Sequence, residues 1–367
     1  MQYKVLFKRC LLAIVVMFVV TSLQAQREMK TINDNWEFRK SIDESWESVN
    51  LPHTFNIDAY QQRNYYQGKG FYRRTLVLPE IVAERRYYMK IDAASKAANI
   101  RVNGKEVGSH VGGYTACIVD ITEYIRKENL IEITVDNGRK DITPISADFT
   151  FWGGIYRDVW LISTPKQHFN MSNMGSDGIF ISTPVVNEKR GVLKVKCEVT
   201  NDSHESSILE VRSAIYSPQG KLLQTIKQKQ KLKSGETYIF ENTSGAIESP
   251  DLWSPETPSL YLVKTTLVDP KSGKLLDEKN HKVGFRWFTF DGSKGFFLNG
   301  KSYKLRGLNR HQDQAPAGVA LDDEAHRRDI FLMKELGCNF IRISHFPQDD
   351  AILEMCDELG LLAWEEI

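Results

Sequence analysis

Between residues 28 and 165, apolar and polar residues alternate over short segments that turns separate. The segments are GFYRRTLVL, RRYYMKIDAA, ANIRVNGKEVG, NLIEITVDNG and GIYRDVWLIS. Alternation with a period of two predicts strands with one buried face, and Asn103-Gly104 predicts a tight hairpin turn. Because no helical pattern interrupts these strands, the sequence predicts a β-sandwich over residues 26–165.

A second set of alternating segments occupies residues 166–285. Its members are DGIFIST, GVLKVKCEVTND, SILEVRSAIYSPQGKLLQTI, TYIFENT and LYLVKTTLVD. The length is close to the ~100 residues of an immunoglobulin-like sandwich. We therefore predict such a domain here. No low-complexity linker separates the regions, so we expect the domains to pack against one another.

After residue 285 the period of the pattern changes. KSYKLRGLN, NFIRIS and LLAWEEI read as strands, and two helical segments, LDDEAHRRDIFLMKELG and QDDAILEMCDELG, lie between them. Asp322 or Asp323 is the predicted N-cap of the first helix, which ends at Gly337. Strands that alternate with helices predict the beginning of a parallel α/β unit over residues 286–367.

The first helix carries apolar residues at three- and four-residue spacings. They are Ile330, Leu332, Met333 and Leu336. This spacing is typical of an amphipathic helix with one apolar face.

The first 25 residues have the layout of a secretory signal peptide. Lys4, Lys8 and Arg9 precede the apolar run CLLAIVVMFVV, and Ala25 stands at a plausible cleavage point. The run is shorter than the ~20 apolar residues of a membrane-spanning helix, so a retained anchor is the weaker alternative. We predict an exported protein, periplasmic or extracellular, with no membrane insertion after cleavage.

Composition and charge exclude other classes. With 41% hydrophobic and 26% charged residues the chain is typical of globular proteins. Lys and Arg number 48 against 47 Asp and Glu, which leaves a net charge of +1 and no broad positive field to attract nucleic acid. The cysteines after the leader show no zinc-ligand or disulfide spacing, so we expect free thiols; they are Cys117, Cys197, Cys338 and Cys356.

Polar residues follow all three strands of the last region. His311 follows the first strand, His345 follows the second, and Glu365 and Glu366 end the third. In a (β/α) barrel the carboxyl ends of the strands meet at one rim, where such barrels carry their chemistry. Each residue alone is equally compatible with a structural role. Their recurrence at three successive strand ends favours a functional site.

Three segments resemble glycoside hydrolase family 2, which contains β-galactosidases, β-glucuronidases and β-mannosidases. They are GLNRHQD, NFIRISHFPQDDAILEMCDELGLLAWEE and DFTFWGGIYRDVWL. The resemblance covers the N-terminal part of the family's domain order and is strongest to β-galactosidases. It implies a multidomain, mainly β chain: a jelly-roll sugar-binding sandwich, an immunoglobulin-like sandwich and the first three strands of a truncated TIM barrel.

The resemblance also implies roles for particular residues. Asp148 matches an Asp that reaches from the sandwich into the barrel site and bonds sugar hydroxyls. His311, Arg342 and His345 match substrate-binding positions at the barrel rim. Glu366 matches a Glu that helps to hold Mg²⁺ in metal-dependent members; carboxylate oxygen suits that hard cation. The chain itself is expected to require no cofactor.

The family's two catalytic glutamates come from later barrel strands, so the resemblance assigns no catalytic residue to this chain. Retaining glycosidases need two carboxylates about 5–5.5 Å apart, whereas Glu365 and Glu366 are adjacent on one strand and point to opposite sides. The sequence therefore predicts an inactive fragment of an exported β-glycosidase, with a lean to galactosides from the NRHQ segment.

Two alternatives stay open. The first is a non-catalytic carbohydrate-binding protein that binds glycans with the first sandwich. The second is a purely structural β-sandwich protein. The expected partner is an oligosaccharide or glycan, and no nucleic acid partner is expected. A homo-oligomer is a further alternative for the full-length form.

Overall fold

The computed structural model describes residues 26–366. The predicted signal peptide, residues 1–25, lies outside the described residues. Within the described part of the chain, no helix is long and apolar enough to cross a membrane.

The first domain is a sandwich of two antiparallel sheets. Its strands are β1 (Glu28–Thr31), β2 (Trp36–Arg39), β3 (Glu47–Val49), β4 (Lys69–Val77), β5 (Arg85–Ile91), β6 (Ala97–Val102), β7 (Lys105–Val111), β8 (Cys117–Asp120), β9 (Glu128–Asp136) and β10 (Val159–Pro165). One sheet has the order β1-β10-β5-β8 and the other has the order β3-β2-β4-β9-β6-β7. The predicted hairpin joins β6 to β7, and both Asn103 and Gly104 have the positive φ that its turn requires.

Alternation along the strands builds the core of this sandwich. Along β5 every second residue is buried, and β9 repeats the pattern. Trp36, Met89 and Ile131 are fully buried between the two sheets, and the ring of Trp36 donates its Nε1–H to the Ile32 carbonyl over 2.6 Å. Burying such side chains removes apolar area from water, which is the main stabilising contribution.

The second domain is a smaller antiparallel sandwich. Its strands are β11 (Gln167–Phe169), β12 (Ile179–Val186), β13 (Arg190–Asn201), β14 (Ser207–Tyr216), β15 (Leu222–Leu232), β16 (Glu236–Thr243), β17 (Ile247–Glu248), β18 (Tyr261–Val268) and β19 (Leu275–Val283). Strand β13 pairs with β11, β12, β16 and β17, and the facing sheet has the order β15-β14-β18-β19. A buried ion pair, Arg27 Nη2 to Asp277 Oδ2 at 2.8 Å, ties this domain to the start of the first.

The third region combines a small antiparallel sheet with a parallel one. The first contains β20 (Phe288–Asp291), β21 (Gly295–Leu298) and β22 (Lys301–Ser302); the second contains β23 (Gly307–Arg310), β24 (Phe340–Ile343) and β25 (Leu362–Glu365). Helices α1 (Asp323–Glu335) and α2 (Asp350–Leu359) connect the parallel strands. Three parallel strands joined by two helices form the beginning of a parallel α/β unit, as the sequence predicted.

The helix boundaries agree with the sequence pattern. Asp322 is the N-cap of α1 and accepts a hydrogen bond from the Ala325 amide. Asp349 caps α2, which ends at Gly360 in the left-handed conformation. Gly360 lies so close to Pro255 of the second sandwich that a Cβ would meet its carbonyl oxygen at 2.5 Å. The glycine therefore both ends the helix and permits domain contact.

Three local expectations were wrong. The strand predicted to begin at Gly154 begins only at Val159. Ile155 packs into the core of the first sandwich, whereas Tyr156 and Arg157 contact the third region. The segment KSYKLRGLN, predicted as one strand, forms two, β22 and β23. Between them the Asn339 side chain accepts from the Arg306 amide and donates to the Lys304 carbonyl, so this backbone pairs with a side chain and not with a strand. On α1, Ile330 and Met333 are buried, whereas Leu332 and Leu336 are exposed, so the packed face is narrower than the spacing predicted.

The described cysteines are all free thiols. Burial, the largest cause, raises the pKa of Cys197 and of Cys356 to about 12. These thiols are therefore protonated and unreactive at neutral pH.

Candidate functional site

The three parallel strands bring their carboxyl ends to one edge. Arg310 at the end of β23 lies opposite Ile343 of β24, and Ile343 lies opposite Glu365 of β25. The residues that immediately follow these ends, His311 and His345 among them, therefore share one rim.

Glu366, Arg342 and His345 form a hydrogen-bonded cluster at this rim. Arg342 Nε donates to Glu366 Oε1 over 2.7 Å, and His345 Nδ1 lies 2.8 Å from Glu366 Oε2. The His345 contact, followed by the Arg342 contact, holds the pKa of the Glu366 carboxyl below its usual range. An ionised carboxylate only accepts, so Glu366 accepts from Nδ1–H of His345, and this bond fixes the orientation of the ring.

The first sandwich contributes a loop to the same rim. The Phe149 ring stacks on the His345 ring with centroids 5.7 Å apart, and it contacts the Phe346 ring at 5.6 Å. A cavity of about 200 Å³ opens beside this stack. Its lining residues are Asp148, Phe149, Thr150, Trp152, His311, Asp313, Val319 and Phe346. The cavity is thus built from two domains.

The structure brings the five residues named from the sequence into one neighbourhood. Asp148 and His311 line the cavity, and the His311 ring lies edge-on to the His345 ring at 5.0 Å. Through His345 the cavity connects to Arg342 and Glu366. Their assigned roles stay predictions; the structure shows only that these side chains lie near one another.

Glu365 faces elsewhere. It lines a separate cavity together with Asp349 and Gln348, while its neighbour Glu366 contacts Arg342 and His345. The two adjacent carboxylates therefore do not form a pair around one bond.

The Glu366 geometry gives no support to the predicted Mg²⁺ role. Both of its carboxylate oxygens are engaged, one by the Arg342 guanidinium and one by the His345 ring, and a neighbouring cation disfavours a metal ion. Among residues 26–366, no three His, Cys, Asp or Glu side chains are grouped closely enough to hold a metal by themselves.

Sequence reasoning missed three contributors to this region. Phe149 and Asp313 line the cavity beside Asp148, and Arg157 joins the two domains behind it. The aromatic run DFTFW was the available signal for Phe149. Nothing in the spacing of charged residues distinguished Asp313 or Arg157.

Arg157 is buried at the junction of the two domains, with 6% of its area exposed. Its Nη2 donates to the Gln312 side chain over 3.1 Å and to the Pro347 carbonyl over 2.7 Å. Its Nη1 donates to the Tyr114 carbonyl over 3.3 Å. The guanidinium therefore holds the segments after β23 and β24 against the first sandwich.

A second buried guanidinium supports the rim from below. Arg310 Nε donates to Asp329 Oδ2 over 2.9 Å, and its Nη1 donates to the Gln348 side chain over 2.6 Å. The Gln348 amide donates in turn to the carbonyls of Arg310 and Ser344. These bonds fix the backbone that carries His311 and His345.

Three family models match the chain in order. Residues 13–165 match the family 2 glycosyl hydrolase sugar binding domain, residues 177–286 match glycosyl hydrolases family 2, and residues 291–367 match the family 2 TIM barrel domain. A domain order of two sandwiches and a barrel, with polar residues at the barrel rim, defines a class of glycosidases. The chain belongs to glycoside hydrolase family 2.

Relatives in this family carry two names. A β-glucuronidase of Bacteroides fragilis is 34% identical over 94% of this chain and 50% of its own length. A β-galactosidase of Thermoanaerobacter pseudethanolicus is 33% identical over 92% of this chain and 44% of its own length. The chain thus spans about half, or less, of the length of these relatives.

Solved structures give the same picture. The crystal structure of a Bacteroides uniformis β-glucuronidase superimposes with a TM-score of 0.91 at 56% identity, covering 93% of this chain and 42% of that one. A calcium binding mutant of Bacteroides uniformis β-glucuronidase 2, in which two aspartates are replaced by alanine, has a TM-score of 0.87 at 55% identity, with the same coverage.

The stability of the fold should depend on pH through His326, whose ring is buried beneath the rim. Its Nδ1 accepts from Arg310 Nη2 over 3.0 Å. Burial first, and then the charges of Arg310 and Arg157, lower its pKa to about 3. An unfolded His titrates near 6.5. Between these values the unfolded chain binds one more proton than the folded chain, so stability decreases as pH falls from 6.5 towards 3.

His326→Gln should therefore flatten the loss of stability on acidification, by up to about 1.4 kcal/mol per pH unit within this window. Urea midpoints of the two proteins at pH 7.5 and 4.5 measure the effect. The exposed His204, changed to Gln, serves as the control and should leave the wild-type slope intact. An unchanged slope in His326→Gln would contradict the assignment.

Proposed function

We propose that this chain forms the amino-terminal part of an exported, retaining β-glycosidase that removes a terminal β-linked sugar from an oligosaccharide. The observation that carries the proposal is the two-domain cavity, where Asp148 from the first sandwich and His311 from the barrel rim line one space. A carboxylate acceptor and an imidazole suit the hydroxyl groups of a sugar ring. Phe149 and Phe346 supply apolar faces for its CH groups.

For the substrate we propose a β-glucuronide, with a β-galactoside as the second candidate. The NRHQ segment after β23 favours galactosides. The 56% identity to a β-glucuronidase, against 33% to a β-galactosidase, supports the glucuronide more strongly. Curated relatives of similar identity carry both names, so the family membership alone does not separate the two sugars.

We further propose that residues 1–367 alone do not turn over substrate. A retaining mechanism needs a nucleophile and an acid/base about 5–5.5 Å apart. Of the two carboxylates that end β25, Glu366 is held by Arg342 and His345, and Glu365 lines another cavity. In this proposal the chain contributes sugar contacts, while the two carboxylates come from a longer parent.

The test is hydrolysis of a panel of nitrophenyl β-glycosides by a protein extended to the length of the relatives. We expect the glucuronide to be hydrolysed fastest and residues 1–367 to be inactive. Asp148→Asn should lower kcat/KM about 10- to 100-fold, because a charged hydrogen-bond partner is worth about 1.5–3 kcal/mol.

Asp141→Asn is the matched control, since Asp141 belongs to the same loop region and is likewise exposed, but it is paired with Arg139 and does not line the cavity. It should leave kcat/KM unchanged. Faster hydrolysis of the galactoside would select the second candidate. Glycan binding without hydrolysis of any glycoside would favour the carbohydrate-binding alternative, and an unaffected kcat/KM in Asp148→Asn would remove Asp148 from the sugar site.

We also propose a calcium site where helices α1 and α2 begin. The two aspartates replaced in the calcium binding mutant of the Bacteroides uniformis enzyme are separated along its sequence by the same number of positions as Asp323 and Asp349. The other aspartate pair with this separation here is Asp251 and Asp277, and Asp277 is already bound to Arg27. Asp349 Oδ2 also faces an arginine, but the contact is longer, 3.9 Å to Arg157 Nε against 2.8 Å between Arg27 and Asp277. The spacing and this looser contact therefore favour Asp323 and Asp349.

The charges around these aspartates fit a cation. Burial, and after it Asp349 and then Asp158, raise the pKa of Asp323. Burial likewise raises the pKa of Asp158, with Asp349 among the contributing charges. The carboxylates thus repel one another. Calcium accepts six to eight oxygen ligands, including backbone carbonyls and water, so it does not require three carboxylates in direct contact. Bound there, it would link the first sandwich to both helices.

Calcium should raise the melting temperature of this chain, because a ligand that binds only the folded state contributes about 2.7 kcal/mol at 100 times its Kd. EDTA should reverse the increase, and Mg²⁺ should have a smaller effect. The double variant Asp323→Asn/Asp349→Asn should lose the response, while Glu324→Gln, an exposed neighbour on α1, should keep it. A calcium response that survives the double variant, or none in the wild type, would exclude this site.

A further inference from the structure

An arginine faces the interior of the first sandwich. Tyr72 and Leu76 of β4 are buried, and Arg74 lies between them on the same face, because successive side chains of a strand alternate. Its neighbour Arg73 points to the opposite face, where its Nε bonds Glu37 Oε2 over 2.6 Å. Arg74 therefore occupies a position at which this strand otherwise places core residues.

The guanidinium of Arg74 has no partner in the described part of the chain. Its Nε and Nη1 are buried and make no hydrogen bond there, and residues 26–366 offer it no ion pair. Asp34 is a nearby negative charge, yet burial dominates and lowers the pKa of Arg74. Arg74 is half-buried, and leaving its buried Nε and Nη1 without acceptors costs free energy, so a guanidinium in this position favours an anion as its ligand.

A cavity of about 580 Å³ lies at Arg74. Strands β1, β4, β5 and β10 and the turn after β4 enclose it, and much of its wall is aliphatic. The aliphatic residues are Ile32, Leu76, Val77, Leu78, Val82 and Leu161. The volume is within the range of small-molecule sites, 300–1,000 Å³. None of its lining residues belongs to the cavity at Asp148.

The remaining polar groups of the cavity are largely engaged. Arg85 donates to the Ser163 hydroxyl and to the carbonyls of Ser163 and Gln26. The Tyr87 hydroxyl accepts from the Val82 amide over 2.9 Å. Lys30 and Thr75 also line the cavity, but both are exposed. Few buried groups are therefore left for the many hydroxyls of a sugar, and Glu28 and Glu80 would repel a second negative charge.

We propose that this cavity is a binding site for an organic monocarboxylate with an apolar body, whose carboxylate is held by Arg74. The guanidinium provides the two parallel donors that a carboxylate accepts. The aliphatic walls bury the apolar body. The site is independent of the proposed glycosidase activity and of the calcium site.

Isothermal titration of the full chain with octanoate tests the site, with octanamide and glucuronate as comparison probes. Octanoate should bind. Octanamide should bind at least about tenfold more weakly, because it keeps the apolar body but lacks the charge that strengthens the hydrogen bonds. Glucuronate, which keeps the carboxylate but carries hydroxyls, should also bind more weakly than octanoate.

Arg74→Gln should weaken octanoate binding by about tenfold or more, while Arg73→Gln, on the opposite face of the same strand, should leave it within about twofold. No detectable octanoate binding, equal binding of octanamide, or unchanged binding by folded Arg74→Gln would overturn the proposal. Tighter binding of glucuronate would also overturn it, in favour of an acidic-sugar site. The octanoate and octanamide comparison uses the unmodified chain, so the test stands even if Arg74→Gln does not fold.

Discussion

The site depends above all on one buried cation, the guanidinium of Arg157. It is anchored in the first sandwich and donates to Gln312, to the Pro347 carbonyl and to the Tyr114 carbonyl. Water is largely excluded there, so each of these acceptors replaces a solvent contact that the guanidinium has lost. A hydrogen bond to a charged group contributes about 1.5–3 kcal/mol. The hydrogen bonds of Arg157 therefore fix the position of the barrel rim relative to the first sandwich.

Apolar packing around Arg157 makes the same connection. Trp152 and Tyr156 of the first sandwich form a buried cluster with Val319 of the third region, and Tyr114 stacks on Phe346 with centroids 4.0 Å apart. Gly318 has a positive φ, and a Cβ there would meet the Trp152 ring at 2.7 Å. Glycine is thus required at the point of closest approach, and the cavity at Asp148 is a consequence of this contact between domains.

Periodicity predicted the fold well because each sandwich has one buried face per strand and each helix has a capping aspartate. It misread residues 154–158, which precede the strand and pack partly inside the first sandwich and partly against the third region. It also placed Leu332 and Leu336 in a packed face that the structure leaves exposed. For the site, the sequence predicted that His311, His345 and Glu366 lie at one rim, because they follow three successive parallel strands. Arg157 and the unpartnered Arg74 needed three-dimensional packing, since an arginine in a strand gives no sign of which partners will surround it.

The central claim is that the first sandwich and the barrel rim form one structural unit through Arg157. Amide hydrogen exchange of Arg157→Met against the wild-type chain tests it most directly, because methionine keeps much of the volume and removes the donors. The account predicts faster exchange on both sides of the junction, in residues 148–153 and 344–348, with β13 of the second sandwich unchanged. Faster exchange on one side alone, or on neither, would contradict it.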